Sequence, residues 1–133
     1  MITVSTDKSK LDISFLHIFL KDVYWIAGRT LEEVQTTVDS SFCFGIYLKE
    51  KQIGFCRVIT DYVVFAYVMD VFIDEKYRGK GYSTILINAM VTEPQLQQVK
   101  IWRLATSDAH FLYEKFGFKG LTHPEKMMER IIK

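Results

Sequence analysis

Val71-Phe72-Ile73-Asp74-Glu75-Lys76-Tyr77-Arg78-Gly79-Lys80-Gly81-Tyr82-Ser83 is the stretch that decides the fold. Upstream, Val63–Ile73 is apolar at ten of eleven positions, and Asp70 is its one charged residue. Such a run reads as a central strand covered on both faces. Downstream, Ile85, Leu86, Ala89 and Met90 form a helical stripe within Ser83–Val91, and Pro94 prevents much continuation. A glycine-rich turn therefore joins a buried strand to the first turn of a helix. Successive backbone N–H groups in such a turn can converge on an anion, helped by the free donors and positive end of the helix. Gly79 and Gly81 allow close approach of a phosphate, while Arg78 and Lys80 add charge. The spacing fits neither a Walker A loop nor the three-glycine dinucleotide turn. Alone, the Gly-x-Gly is equally a tight strand-to-helix connection.

Working outward, Ile2–Thr6 alternates as a short strand. Leu11, Phe15 and Phe19, with Leu16, Leu20 and Val23, predict an amphipathic helix over roughly 10–23, broken by Gly28. Thr30-Leu31-Glu32-Glu33 is a capping-box pattern that opens a second helix to about Val38. Phe42–Leu48 and Ile53–Thr60 flank the polar connection Lys49–Gln52 and predict a hairpin. Val99–Thr106 suits another strand, and Asp108–Phe116 a helix stopped by Gly117. Phe118–Leu121 and Met127–Ile132 can supply two final strands. The expected order is β-α-α-β-β-β-α-β-α-β-β, an α/β chain with a mixed central sheet and flanking helices.

At 133 residues, with no repeat or composition shift, residues 1–133 read as one domain. Seventeen Lys and Arg against sixteen Asp and Glu leave a formal net charge of +1, which supplies no broad field for nucleic acid or an anionic membrane. Phosphate recognition must then be local. Cys43 and Cys56 lack metal-ligand spacing and the three histidines are scattered, so no metal is expected. The first residues lack a basic segment followed by an apolar stretch, and no apolar run approaches the ~20 residues of a membrane helix. A cytoplasmic protein is expected.

The strand ending before Asp74, the turn Tyr77-Arg78-Gly79-Lys80-Gly81 and the apolar helix after it resemble motif A of the GNAT N-acetyltransferase superfamily. That motif is Gln/Arg-x-x-Gly-x-Gly/Ala, matched by Arg78 and Gly81 and, imperfectly, by Ser83. Further on, Ala109-His110-Phe111-Leu112-Tyr113-Glu114-Lys115-Phe116-Gly117-Phe118 resembles the family's second signature, Ala-x-x-x-Tyr-Glu-x-x-Gly-Phe. The likeness covers nearly the whole chain. It departs at Ser83, at Glu75 where many members carry Pro, and at Thr106, which stands in place of a frequent Asn that contacts pantetheine.

The resemblance implies an acetyl-CoA-dependent N-acetyltransferase. Acetyl-CoA would lie where the central strand parts from the next one, paired to the backbone of Val71, Phe72 and Ile73. The Val71 N–H would hold the thioester oxygen. The pyrophosphate would rest on Arg78, Gly79, Lys80, Gly81, Tyr82 and Ser83, with Thr84 adjacent and Thr106 near the pantetheine. Tyr113 would protonate the departing thiolate. Asp70 leads as general base, because a carboxylate in a buried strand must be paired or functional; Asp108 and His110 are alternatives. Tyr24, Trp25 and Tyr67, with Tyr62 and Phe65 nearby, would line the acceptor side. Aromatics at these spacings are also ordinary core residues. The acceptor would be a small-molecule or peptide amine, and homodimers are common among such proteins. A non-catalytic acyl-CoA-binding module on the same fold is the alternative.

Overall fold

The computed structural model describes residues 1–21 and 28–132. Among the described residues nine helices and strands follow one another: β1 (Ile2–Ser5), α1 (Ile13–Leu20), α2 (Leu31–Asp39), β2 (Phe42–Leu48), β3 (Lys51–Thr60), β4 (Phe65–Ile73), α3 (Tyr82–Val91), β5 (Ile101–Arg103) and α4 (His110–Glu114). The strands form one sheet in the order β1-β2-β3-β4-β5. The first four pair antiparallel, and β4 pairs parallel to β5. This is the mixed α/β sheet with flanking helices that the sequence predicts.

Caps set the helix starts. The Asp12 carboxylate accepts from the Phe15 N–H at 3.1 Å. The Thr30 capping box is present, with the Glu33 N–H donating to the Thr30 hydroxyl at 3.1 Å and the Thr30 N–H to the Glu33 carboxylate at 2.9 Å. Alternation along the strands, reset at Ile53 by a bulge in the pairing of β3 with β2, divides the core in two. Leu16 and Leu20 of α1 and Val34 and Val38 of α2 bury against Cys43 and Phe55 on one face. Leu86, Ile87 and Met90 of α3, with Leu112 and Tyr113 of α4, bury against Phe44, Ile53, Cys56 and Val58 on the other. Each fully buried aliphatic or aromatic side chain contributes about 1.5–3 kcal/mol.

Several boundaries differ from expectation. The β2–β3 connection is shorter than Lys49–Gln52, because Lys51 and Gln52 join β3. Gln52 is buried, accepting from the Asp12 N–H at 2.8 Å and donating to the Gly54 carbonyl at 3.1 Å. β4 starts at Phe65 rather than Val63, since the Asp61 carboxylate gathers the N–H groups of Val63, Val64 and Phe65 into a tight turn. β5 keeps only Ile101–Arg103 of Val99–Thr106. The two strands expected at Phe118–Leu121 and Met127–Ile132 are absent among the described residues. Between them Pro124 lacks a donor and opens a single 3-10 turn over Pro124–Lys126. In the second, Met127, Met128 and Ile132 are all exposed, so no buried face repeats every second residue. Among the described residues no helix is long and apolar enough to cross a membrane.

β3 approaches β4 closely at Gly54. A Cβ there would lie 2.6 Å from the Phe72 carbonyl oxygen and 2.7 Å from the Ile73 side chain. We therefore expect Gly54→Ala to cost about 1–3 kcal/mol, read as a lower urea midpoint; an unchanged midpoint would contradict this packing.

Candidate active site

β4 carries one residue more than β3 at its middle. Arg57 pairs with Met69 and Phe55 with Phe72, so Cys56 alone faces Asp70 and Val71. Asp70 sits in the left-handed region at φ 57°, which Asp tolerates better than most residues. The bulge resets the strand's phase. Ala66 and Val68 pack in the core under α3 and α4, and so do Val71 and Ile73. An uninterrupted strand would turn the latter pair to the opposite face.

The Asp70 side chain is fully buried and held by two arginines. Arg29 forks onto both carboxylate oxygens at 2.7 Å, and Arg57 donates through Nε at 2.6 Å. Arg57 also donates to the Ser41 hydroxyl at 3.0 Å. Burial pushes the Asp70 carboxyl up, but the hydrogen bonds and charges of Arg29 and Arg57 outweigh it and hold the group below the usual carboxylate range. A carboxylate so held is a poor proton acceptor, and the base expected at Asp70 gives way to a buried ion-pair cluster.

At the same level β4 and β5 part. Their register runs only from Phe65–Ile101 to Tyr67–Arg103, whereas β4 continues to Ile73. Beyond Ile73, Asp74 caps a 3-10 turn over Glu75–Tyr77, and Arg78 Nε donates to the Ile73 carbonyl at 2.8 Å. Gly79 and Gly81 have φ values of 79° and 82°, and a Cβ on either would meet nothing within 4 Å. Gly81 caps α3 without any side-chain hydrogen bond. The first-turn N–H groups of this ten-residue helix thus face an open concavity, a donor set suited to pyrophosphate. The concavity is a cleft of about 290 Å³ in which Arg78, Gly79, Gly81, Tyr82, Ser83 and Thr84 face Phe111 and Lys115.

A second cleft, of about 310 Å³, holds Tyr113, Thr106 and His110 beside β5. Tyr113 is mostly buried, with the Phe118 ring edge-on at 5.8 Å, and burial, with smaller contributions from Cys56 and Asp108, pushes its phenol up to about 12. The Thr106 hydroxyl accepts from the Ala109 N–H at 3.0 Å and so helps start α4.

Ile73 lines the first cleft together with the glycine turn. Lys80 is exposed and does not line it, and the Phe72 ring stacks on Phe19 at 4.6 Å in the α1-side core. Tyr67 is half-buried and opposite Arg103. Tyr24 and Trp25 lie outside the described residues. Sequence reading missed Lys115 and the two arginines on Asp70. Arg57 left a signal, as a cation in an otherwise apolar strand next to one bearing a lone carboxylate. Arg29 left none.

A family model described as an acetyltransferase (GNAT) domain matches residues 39–120. A crystal structure of a candidate GNAT-family acetyltransferase from Xanthomonas campestris pv. campestris is 43% identical, with a TM-score of 0.92 over 99% of this chain and 94% of that one. A Gibberella zeae protein named as a candidate acetyltransferase is 29% identical over 140 residues, 87% of this chain and 78% of its own. A candidate acetyltransferase from Clostridium acetobutylicum, crystallised with acetyl-CoA, shares the fold at a TM-score of 0.71 and 15% identity, covering 98% and 96% of the two chains.

The ion-pair cluster has a pH signature. The folded carboxyl of Asp70 lies below its unfolded value, so its stabilisation is fully present above about pH 5 and is lost as pH falls through the depressed folded value. Asp70→Asn, which leaves two cations without their carboxylate, should cost about 3–5 kcal/mol at neutral pH and flatten the acid limb of stability against pH. A variant whose acid limb matches the wild type would show that Asp70 does not carry it.

Proposed function

Because this chain belongs to the GNAT acetyltransferase family, we propose that it acts as a single-domain enzyme moving an acetyl group from acetyl-CoA directly to a primary amine. The observation that carries this reading is the uncapped start of α3 behind two positive-φ glycines, facing α4 across a cleft. A side chain at either glycine would intrude on that concavity, and the helix supplies N–H donors with no side-chain acceptor of their own.

Acetyl-CoA supplies the activated thioester and a pyrophosphate by which it is held. The amides of Gly79, Gly81, Tyr82 and Ser83, with Thr84 beside them, grip the pyrophosphate, and Lys115 adds a cation from α4. The backbone of Val71, Phe72 and Ile73 guides the pantetheine arm past the parting of β4 from β5. Thr106 borders that arm from the far side. The Val71 N–H bonds the thioester oxygen as negative charge grows on it. The amine nitrogen forms its bond to the acetyl carbon as the carbon–sulfur bond breaks. Tyr113 gives its proton to the sulfur, His110 or solvent takes the proton the amine loses, and solvent restores Tyr113. Imidazole is the side-chain type suited to that transfer near neutral pH, and His110 lines the same cleft as Tyr113.

Thiol release from acetyl-CoA with a panel of amines tests the assignment. Tyr113→Phe should lower kcat about a hundredfold with acetyl-CoA binding retained, and equal rates would remove Tyr113 from the mechanism. Since burial holds its phenol near 12, the wild-type rate should show no loss from tyrosine ionisation up to about pH 10. Acetyl-CoA binding with no amine accepted would favour a non-catalytic acyl-CoA-binding module.

A further inference from the structure

A cleft of about 760 Å³ runs between β5 and the chain that follows α4. Its lining carries Lys100, Arg103, Lys119, His123 and Lys126, and no Asp or Glu. The nearby Glu125 is exposed and pairs with His123 at 3.3 Å, leaving the four permanent cations. On a chain whose formal net charge is +1 this is a marked local excess. Arg103 is half-buried and makes no ion pair among the described residues. Its Nη1 lies 3.0 Å from the Met127 sulfur, a weak acceptor that leaves the rest of the guanidinium fork for a stronger one.

Two features tie this charge to the acceptor. The cationic cleft shares no lining residue with the glycine-turn cleft, so the pyrophosphate does not account for it. It does share Trp102, Arg103 and Lys119 with the cleft that holds Tyr113. Its volume is in the range of small-molecule sites and exceeds what a bare alkylamine would fill. We propose that this cleft seats the anionic part of the acceptor, a primary amine whose body carries a phosphate or carboxylate. Arg103 and Lys119 grip the anion and direct the amine toward Tyr113. Guanidinium binds both anions bidentately, so the two groups share one chemistry. This inference names the acceptor class for the acetyl transfer proposed above and rests on that reading.

The test is thiol release at saturating acetyl-CoA with four amines: ethanolamine, O-phosphoethanolamine, β-alanine and 1,3-diaminopropane. The kcat/KM of at least one anionic amine should exceed that of ethanolamine about tenfold or more, with the diamine poorest. The ranking of O-phosphoethanolamine against β-alanine separates phosphate from carboxylate. Arg103→Gln should cut the anionic-over-neutral preference about tenfold, and the exposed Lys119→Gln should do so in part if the first variant folds poorly. A preference for the neutral amine or the diamine, or a preference untouched by both substitutions, overturns the proposal. Calorimetric titration of O-phosphoethanolamine and β-alanine into CoA-saturated protein decides the case if no amine turns over, since absence of binding also overturns it. Failure to bind CoA would count instead against the acetyltransferase reading, and the same titration of the free protein would still decide the cleft.

Discussion

A carboxylate with its side chain shut away from water sits where β4 bulges, and two guanidinium groups hold it there. Isolated, a buried charge of this kind would be prohibitively costly. Paired, it ties three parts of the molecule together. Arg57 binds the bulge to β3, and Arg29 binds it to the start of α2 and so to the helical layer on that face. The bulge turns Val71 and Ile73 toward α3 and α4, in phase with Ala66 and Val68. It also bends the strand just beyond the last pairing with β5. The site proposed for the pantetheine depends on that parting, so the cluster shapes the site without touching the chemistry.

Much of this was legible in the residues. Burial patterns in Phe42–Leu48, Ile53–Thr60 and Val63–Ile73 marked the sheet centre, because strands covered on both faces carry apolar residues throughout. Thr30 with Glu33 is a local signal whose geometry needs only neighbouring residues, and α2 begins where it implies, whereas α4 spans only His110–Glu114 and ends three residues before the stop expected at Gly117. The glycine turn and Tyr113 could be placed on their elements for the same reason. The misreadings share a cause, in that each depends on contacts between distant segments. Asp70 looked like a base because its partners are 41 and 13 residues away in sequence. The final strands failed because Met127–Ile132 is apolar enough to suggest burial, yet Met127, Met128 and Ile132 are exposed and the segment does not pair with the edge strand β5. Arg57 against Asp70 was within reach of sequence reasoning, as two opposite lone charges in adjacent apolar strands.

Net charge hid two local features of different origin. At the start of α3 the proposed hold on an anion would come from oriented N–H groups, which no count of charged residues records. Along β5 it would come from side chains separated by up to 26 positions, Lys100 to Lys126, that converge only when the chain after α4 folds back. A near-neutral total thus conceals a local excess of cations in the cleft beside β5, whose lining carries no Asp or Glu.

Amide hydrogen exchange, measured with and without saturating acetyl-CoA, reads recognition by backbone N–H groups at those groups themselves. Exchange at Gly79–Thr84 and at Val71–Ile73 should slow on binding, while Lys119–Met127 stays as it was. Binding that leaves the amides of both segments exchanging at their free rates would contradict the account.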